Sequence, residues 1–194
     1  MSEARARVTL LDYGVGNLRS VRRALEAAGA EVDQSADVGG EAILLPGVGA
    51  FGAALERLGP GRVDELRAWS REGRPLLGIC LGMQLLFEES HEHGVHRGLG
   101  LIPGVVEPLP TTVVVPHMGW ATLSGLGDPT VYFCHSFAAR PVPQTSATAE
   151  HGVTITAAVE QGRTWGFQFH PEKSGPAGIA LLRRFIEVAV RARA

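Results

Sequence analysis

The chain has 194 residues, 45% of them hydrophobic and 20% charged, with a formal net charge of −2. That length can bury one substantial core and fits a single domain over residues 1–194, while the small net charge and the lack of a basic tract argue against nucleic-acid or acidic-membrane partners. No apolar run reaches the roughly 18 residues expected of a membrane span. The polar opening MSEARAR lacks the apolar stretch of a secretory signal, so residues 1–6 are expected to be a loose tail. Two cysteines, Cys80 and Cys134, make no disulfide framework, which points to the cytoplasm.

In chain order, Val8 to Asp12 is a strand-like run ended by the turn Gly14-Val15-Gly16. Asn17 stands where a helix N-cap belongs, and Leu18, Val21, Ala24 and Leu25 then recur at helical spacing until Gly29. Ala42 to Leu45 is a buried strand closed by Pro46-Gly47. Val63 to Glu72 predicts a helix, Pro75 to Ile79 a third strand, and Gly82 to Glu89 the helix that follows it directly. This alternation implies a mostly parallel sheet with helices on both faces. From Val105 to Val159 the pattern changes to Val/Thr-rich runs at Val113 to Val115, Val131 to Phe137 and Val153 to Val159, an antiparallel extension. Trp165 to Phe169 is a late strand and Pro176 to Val190 a closing helix. In such α/β folds sites form at the carboxyl ends of strands, here after Leu45, Ile79, Phe137 and Phe169.

Gly78-Ile79-Cys80-Leu81-Gly82 has the G-x-C-x-G form of a nucleophile elbow, in the strand-to-helix context that the motif needs. The sharp turn strains the nucleophile's backbone and leaves no room for neighbouring side chains. It also sets Cys80 at a helix N-terminus, where N–H groups and the dipole favour thiolate. A thiol nucleophile needs an imidazole, and the imidazole needs a group that fixes its tautomer. His170-Pro171-Glu172 supplies both directly after a strand; in an extended segment residues two apart face the same side, so Glu172 can reach one ring nitrogen and leave the other for Cys80. Alone, the pair would read equally well as solvated loop residues.

Pro46-Gly47-Val48-Gly49 can present the Val48 N–H unobstructed, and the Leu81 N–H is the natural second donor of an oxyanion hole. By itself PGVG is an ordinary turn. Gly14-Val15-Gly16 is no dinucleotide fingerprint, because Arg19 stands where a third glycine belongs. His91, His93 and His96 lack partner cysteines and read as solvated residues, not a metal site, and Cys134 reads as core. No metal or cofactor is expected.

PGVG, GICLGMQ and HPE, in this order, resemble the class I (triad) glutamine amidotransferases over nearly the whole chain. DYGVGN (12–17), PGVGAFG (46–52), GICLGMQLLFEES (78–90), GLGLIPG (98–104), PHMGW (116–120) and GFQFHPEKSG (166–175) are most similar to the branch formed by the glutaminase subunits of imidazole glycerol phosphate synthases. The resemblance implies a flavodoxin-like fold, glutamine as substrate, and a heterodimer with a (β/α)₈-barrel cyclase subunit in histidine biosynthesis. Cys80 would form a glutamyl thioester, His170 would shuttle the proton to ammonia, and ammonia would pass to the cyclase. Gln84, Gly49, Glu92 and the backbone of His135 and Ser136 would hold glutamine. Asn17, Met118, Trp120 and Lys173 would belong to the partner interface.

The chain departs from that pattern at Ala121, where Asn usually follows PHMGW, and at Phe137, where Tyr usually follows His-Ser. Each loses a polar group near the pocket or the interface, and neither touches the triad. The alternatives are the glutaminase of another synthase or a non-catalytic module on the same fold. A pyridoxal phosphate type would carry a G-E-S-T-T segment, and an anthranilate type His in place of Met83; the intact Cys80, His170 and Glu172 speak against the module.

Overall fold

A computed structural model describes residues 5–192. Its elements are β1 (Arg7–Leu11), α1 (Leu18–Ala28), β2 (Glu31–Ser35), β3 (Ala42–Leu45), α2 (Phe51–Arg71), β4 (Leu76–Ile79), α3 (Leu81–Leu86), β5 (Phe87–Ser90) and β6 (His96–Arg97). There follow β7 (Ile102–Pro108), β8 (His117–Thr122), β9 (Thr130–His135), β10 (Phe137–Ala139), β11 (Thr145–Glu150), β12 (Thr154–Gln161), β13 (Thr164–Phe167), a 3₁₀ turn (Pro171–Lys173) and α4 (Gly175–Arg191).

The main sheet has the order β11-β12-β13-β4-β3-β1-β2. The pairings from β13 to β2 are parallel, and β11 and β12 extend the sheet antiparallel. The fold is the expected α/β arrangement. Its central strands are apolar on both sides because both faces are covered. Along β1, β3 and β4 the side chains alternate between two cores. Val8, Leu10, Leu44, Leu77 and Ile79 meet α1 (Val21, Leu25) and α4 (Leu181, Leu182, Phe185). Leu11, Ile43, Leu45 and Leu76 meet α2 (Phe51, Leu58, Leu66, Trp69) and α3. Each fully buried Leu or Phe of this set contributes on the order of 1.5–3 kcal/mol.

A second sheet has the order β10-β7-β5-β6, and β8 and β9 form a separate hairpin. The structure corrects two expectations. The helix predicted over Gly82 to Glu89 ends at Leu86, and Phe87–Ser90 is a strand paired with β7 and β6. Val113 to Val115 is irregular chain, not a strand; Val114 is 78% exposed, and Val113 packs over Gly152 in the β11–β12 turn. The helix predicted from Val63 starts at Phe51 and kinks at Gly59 (φ 72°) ahead of Pro60. The tail also needs correction. Ala6 is fully buried and its carbonyl accepts from Glu31 N–H at 2.9 Å. Residues 1–4 of that expectation lie outside the described residues.

Candidate active site

The elbow is built by close approach. A Cβ on Gly82 would collide with the Leu45 carbonyl, and one on Gly78 with the backbone of Gly82. Helix α3 therefore starts almost in contact with the ends of β3 and β4, which only glycine permits. Between them Cys80 is held at φ 54°, ψ −112°, with its N–H on the Phe167 carbonyl at 2.7 Å. Such a conformation costs on the order of 1–3 kcal/mol, which the surrounding packing must overcome. The thiol is buried, with Sγ 3.9 Å from the Cys134 carbonyl and 3.9 Å from Gln168 Nε2.

His170 follows β13. Its N–H donates to the Tyr132 carbonyl at 2.8 Å, and its own carbonyl accepts from Ser174 Oγ at 2.6 Å. Nδ1 meets Glu172 Oε1 at 2.8 Å. The H-P-E segment is not extended as expected: Pro171–Lys173 is a 3₁₀ turn, and the turn brings the carboxylate back beneath the ring. Burial disfavours the imidazolium, but hydrogen bonding and charge attraction from Cys80 and Glu172 outweigh it and raise the His170 pKa from 6.5 to about 10. A Nδ1 committed to Glu172 leaves Nε2 for the sulfur side.

Cys80 and His170 line one open cavity of about 610 Å³ at the carboxyl ends of the strands. Val48, Gly49, Leu81, Gln84, Glu92, His135, Ser136 and Lys173 line it too. Glu172 sits behind the imidazole, in a smaller hollow shared with Asn17 and Lys173. Val48 is 44% exposed at the rim. Gln84 is buried, and its Nε2 donates to the Phe137 carbonyl at 2.8 Å and to Gln168 Oε1 at 3.0 Å. Glu92 is buried with Oε2 accepting the Phe51 N–H at 2.7 Å, so it caps α2 as well as facing the cavity. Asn17 caps α1 through Oδ1 to Ser20 N–H. Met118 and Trp120 do not line the cavity; they point outward from β8, 61% and 60% exposed.

Other neighbours escaped the sequence reading. Tyr13 is buried and donates its hydroxyl to the Pro46 carbonyl at 2.6 Å, fixing the base of the Val48 loop. Burial, and then the negative charge at Cys80, push its pKa far up. Gln168 bridges Gln84 and the sulfur. Cys134, expected in the core, is only half-buried and faces the cavity, because its hairpin strand alternates Phe133 and His135 inward. Among His91, His93 and His96, His91 pairs with Glu89 at 2.8 Å and His96 packs on Phe51, while His93 reaches the cavity rim. No group of residues among those described is arranged to hold a metal ion.

Residues 9–188 match the glutamine amidotransferase class-I family. The chain is 44% identical to "Imidazole glycerol phosphate synthase subunit HisH" of Lacticaseibacillus casei, covering 93% of this chain and 95% of that one. It is 46% identical to the protein of the same name from Aquifex aeolicus, over 92% and 95%, and 45% identical to that of Halobacterium salinarum, over 94% and 93%. A solved structure described as a glutamine amidotransferase superposes with a TM-score of 0.73 at 24% identity, covering 94% of this chain and 98% of that one. A chain in the structure of PurLQS from Thermotoga maritima does so at 0.71 and 19%, over 96% and 100%. At those identities the likeness is one of fold.

Proposed function

This chain belongs to the class I glutamine amidotransferases, and on that premise we propose that it is the glutaminase subunit of an imidazole glycerol phosphate synthase, with Cys80, His170 and Glu172 as its catalytic triad. The observation that carries the reading is the strained, buried Cys80 sharing one cavity with an imidazole whose Nδ1 is held by Glu172. The kinship with subunits named HisH over nine-tenths of the chain supplies the pathway.

His170, its pKa raised to about 10, takes up the thiol proton of Cys80 and holds it. The thiolate attacks the side-chain carbonyl carbon of glutamine and forms a C–S bond. Charge moves onto the oxygen, where the N–H groups of Val48 and Leu81 stabilise it; one such donor is typically worth about 3–4 kcal/mol. His170 gives its proton to the departing nitrogen, the C–N bond breaks, and ammonia leaves. Water, deprotonated by His170, then attacks the thioester; the C–S bond breaks, returning the thiolate and releasing glutamate.

Gln84, Gly49, Ser136 and the His135 backbone form the wall on which glutamine would lie, and Glu92 keeps Oε1 available for its α-ammonium group. The exposed Met118 and Trp120 on β8, with Lys173 and Asn17 beside the hollow behind the triad, form the face we assign to the barrel cyclase subunit. Ammonia must cross that face as the neutral base, since ammonium is no nucleophile. No helix among the described residues is long and apolar enough to cross a membrane. A free-thiol nucleophile in amino-acid biosynthesis suits the cytoplasm.

The test is glutamate release from glutamine by the chain alone, with a purified imidazole glycerol phosphate synthase cyclase subunit, and with that subunit plus its ribonucleotide. Stimulation by the loaded partner that disappears in Cys80→Ala is the expected result. Turnover indifferent to the partner would defeat the pathway assignment, and turnover surviving in Cys80→Ala would defeat the mechanism.

A further inference from the structure

Opposite one another on the β8–β9 hairpin, His117 and His135 form a buried cross-strand pair with His117 Nδ1 3.1 Å from His135 Nε2. The other nitrogen of His135, Nδ1, lies 2.9 Å from the Phe137 carbonyl. A carbonyl oxygen only accepts, so His135 carries its proton on Nδ1 and its Nε2 is a lone pair. His117 Nδ1 must then be the donor. The same Phe137 carbonyl accepts from Gln84 Nε2 at 2.8 Å. It is thus held from two sides at the wall of the cavity.

The ring of His117 is clamped. Phe133 stacks on one side at 4.7 Å and His151 on another at 4.0 Å, both within 17° of parallel. His151 is itself fixed, with Nε2 2.6 Å from the Val114 carbonyl, in the turn where Val113 packs on Gly152. From His117 through His135 the hydrogen bonds end on a carbonyl oxygen that can only accept, so each of the two protons has one position. The hydrogen bonds run from His117 through His135 to the glutamine wall with both rings buried, and the stacked His151 ties His117 to the Val113–Val115 segment.

We infer that His117 is a positioning residue for glutamine binding: its Nδ1–H fixes the tautomer of His135, which holds the Phe137 carbonyl and through it the Gln84 amide. The inference rests on reading the cavity as the glutamine site. It gives His117 a task inside the pocket wall that is separate from its neighbours Met118 and Trp120 on the outer face of the same strand.

The experiment uses the full chain in complex with its cyclase subunit. In His117→Leu, which has no donor, KM for glutamine should rise about five- to tenfold, the effect of one net hydrogen bond, with little change in kcat. His117→Asn places an amide N–H where Nδ1 was and should restore most of that loss. Inactivation by the glutamine analogue 6-diazo-5-oxo-norleucine should slow in the Leu variant in step with KM, while alkylation of Cys80 by iodoacetamide keeps its rate. On the unmodified chain, ¹⁵N-histidine spectra should show His135 and His117 protonated on Nδ1, the less common tautomer of free histidine.

A His135 protonated on Nε2, or a Leu variant with unchanged KM, or an Asn variant as impaired as Leu, would overturn the inference. The tautomer measurement decides the matter even if His117→Leu does not fold. Failure of the unmodified complex to hydrolyse glutamine or to react with the analogue would instead sink the glutamine reading, and the inference with it.

Discussion

His170 Nδ1 lies 2.8 Å from Glu172 Oε1, and the two side chains are 7% and 3% exposed. The carboxylate's second oxygen is buried with no hydrogen-bond partner among the described residues, so the imidazole is its main source of compensation. Glu172→Gln should preserve the shape and remove the charge. A fall in kcat on the order of 10²- to 10⁴-fold is expected, the usual contribution of a correctly held base, with KM for glutamine little changed. The alkaline limb of the pH–rate profile, expected near the His170 pKa of about 10, should move down. The sign also holds for stability: a folded pKa raised above 6.5 contributes stability that is complete below pH 6.5 and lost as pH rises through about 10. A pH–rate profile of Glu172→Gln superimposable on the native one would remove Glu172 from the proposed triad.

The Tyr13 hydroxyl makes a short bond of 2.6 Å to the Pro46 carbonyl, inside the core and one residue before Gly47. Tyr13→Phe leaves that carbonyl buried without its donor, a loss of about 1–3 kcal/mol in unfolding free energy. Because the freed carbonyl opens the loop that carries Val48, kcat should fall as well, while KM stays near native. Urea unfolding and steady-state kinetics on the same preparation check both. A variant that loses stability with native kcat would show that Tyr13 supports the fold and not the loop.

Much of this arrangement is legible in the chain. Ala42–Leu45 and Leu76–Ile79 announce themselves because a strand buried on both faces is continuously apolar. The elbow and the H-P-E segment are visible because their chemistry is local, within five and three residues. Strand Glu31–Ser35 is not, since it is an edge strand with only Val32 buried. Phe87–Ser90 reads as helix because Leu85, Leu86 and Phe87 continue a helical apolar face, and only its pairing with β6 and β7 makes it a strand. Val113–Val115 misleads in the opposite sense: β-branched residues there have no strand to pair with. Tyr13, Gln168 and His117 escape for one reason. Their decisive partners, Pro46, Gln84 and His135, are 33, 84 and 18 residues away.

The histidine pair should make the protein sensitive to acid. Burial, and then the neighbouring His151, lower the His117 pKa to about 4. Burial, and then His117, lower that of His135 to about 3, with His151 and His170 adding to the effect and the bond to the Phe137 carbonyl opposing it. Both folded values lie below the ordinary 6.5, so the unfolded chain takes up protons first as pH falls. Stability present above pH 6.5 is therefore lost progressively between about pH 6.5 and pH 3, by about 2–3 kcal/mol at pH 4.5 from His135 alone. His117→Asn should shallow that slope, reducing the protons taken up on unfolding by roughly one. Equal slopes for the two proteins in urea titrations from pH 7.5 to 4.5 would exclude His117 as a source.

Trp120 stands 60% exposed on β8, its ring edge-on to Tyr132 at 5.9 Å, and Lys173 Nζ lies 5.7 Å from the Tyr132 ring. An aromatic side chain that is mostly in water and touches one partly exposed ring gains little for the free chain, so Trp120→Ala should change its unfolding free energy by no more than about 0.5 kcal/mol. On the partner face proposed above the same side chain would act as an anchor, because rigid aromatic surface is covered at small entropic cost and Trp is enriched among the residues that dominate binding. Affinity for the cyclase subunit should therefore fall by about 30-fold or more, the equivalent of roughly 2 kcal/mol. Phe133 gives the contrast within the same hairpin. It is fully buried between His117 and Phe169, so Phe133→Ala should cost about 3–5 kcal/mol of stability before any question of binding arises. Calorimetric titration of Trp120→Ala with the cyclase subunit, paired with its thermal unfolding, separates the two roles. Native affinity would move the partner face away from β8; a large drop in melting temperature would mean that Trp120 belongs to the core in spite of its exposure.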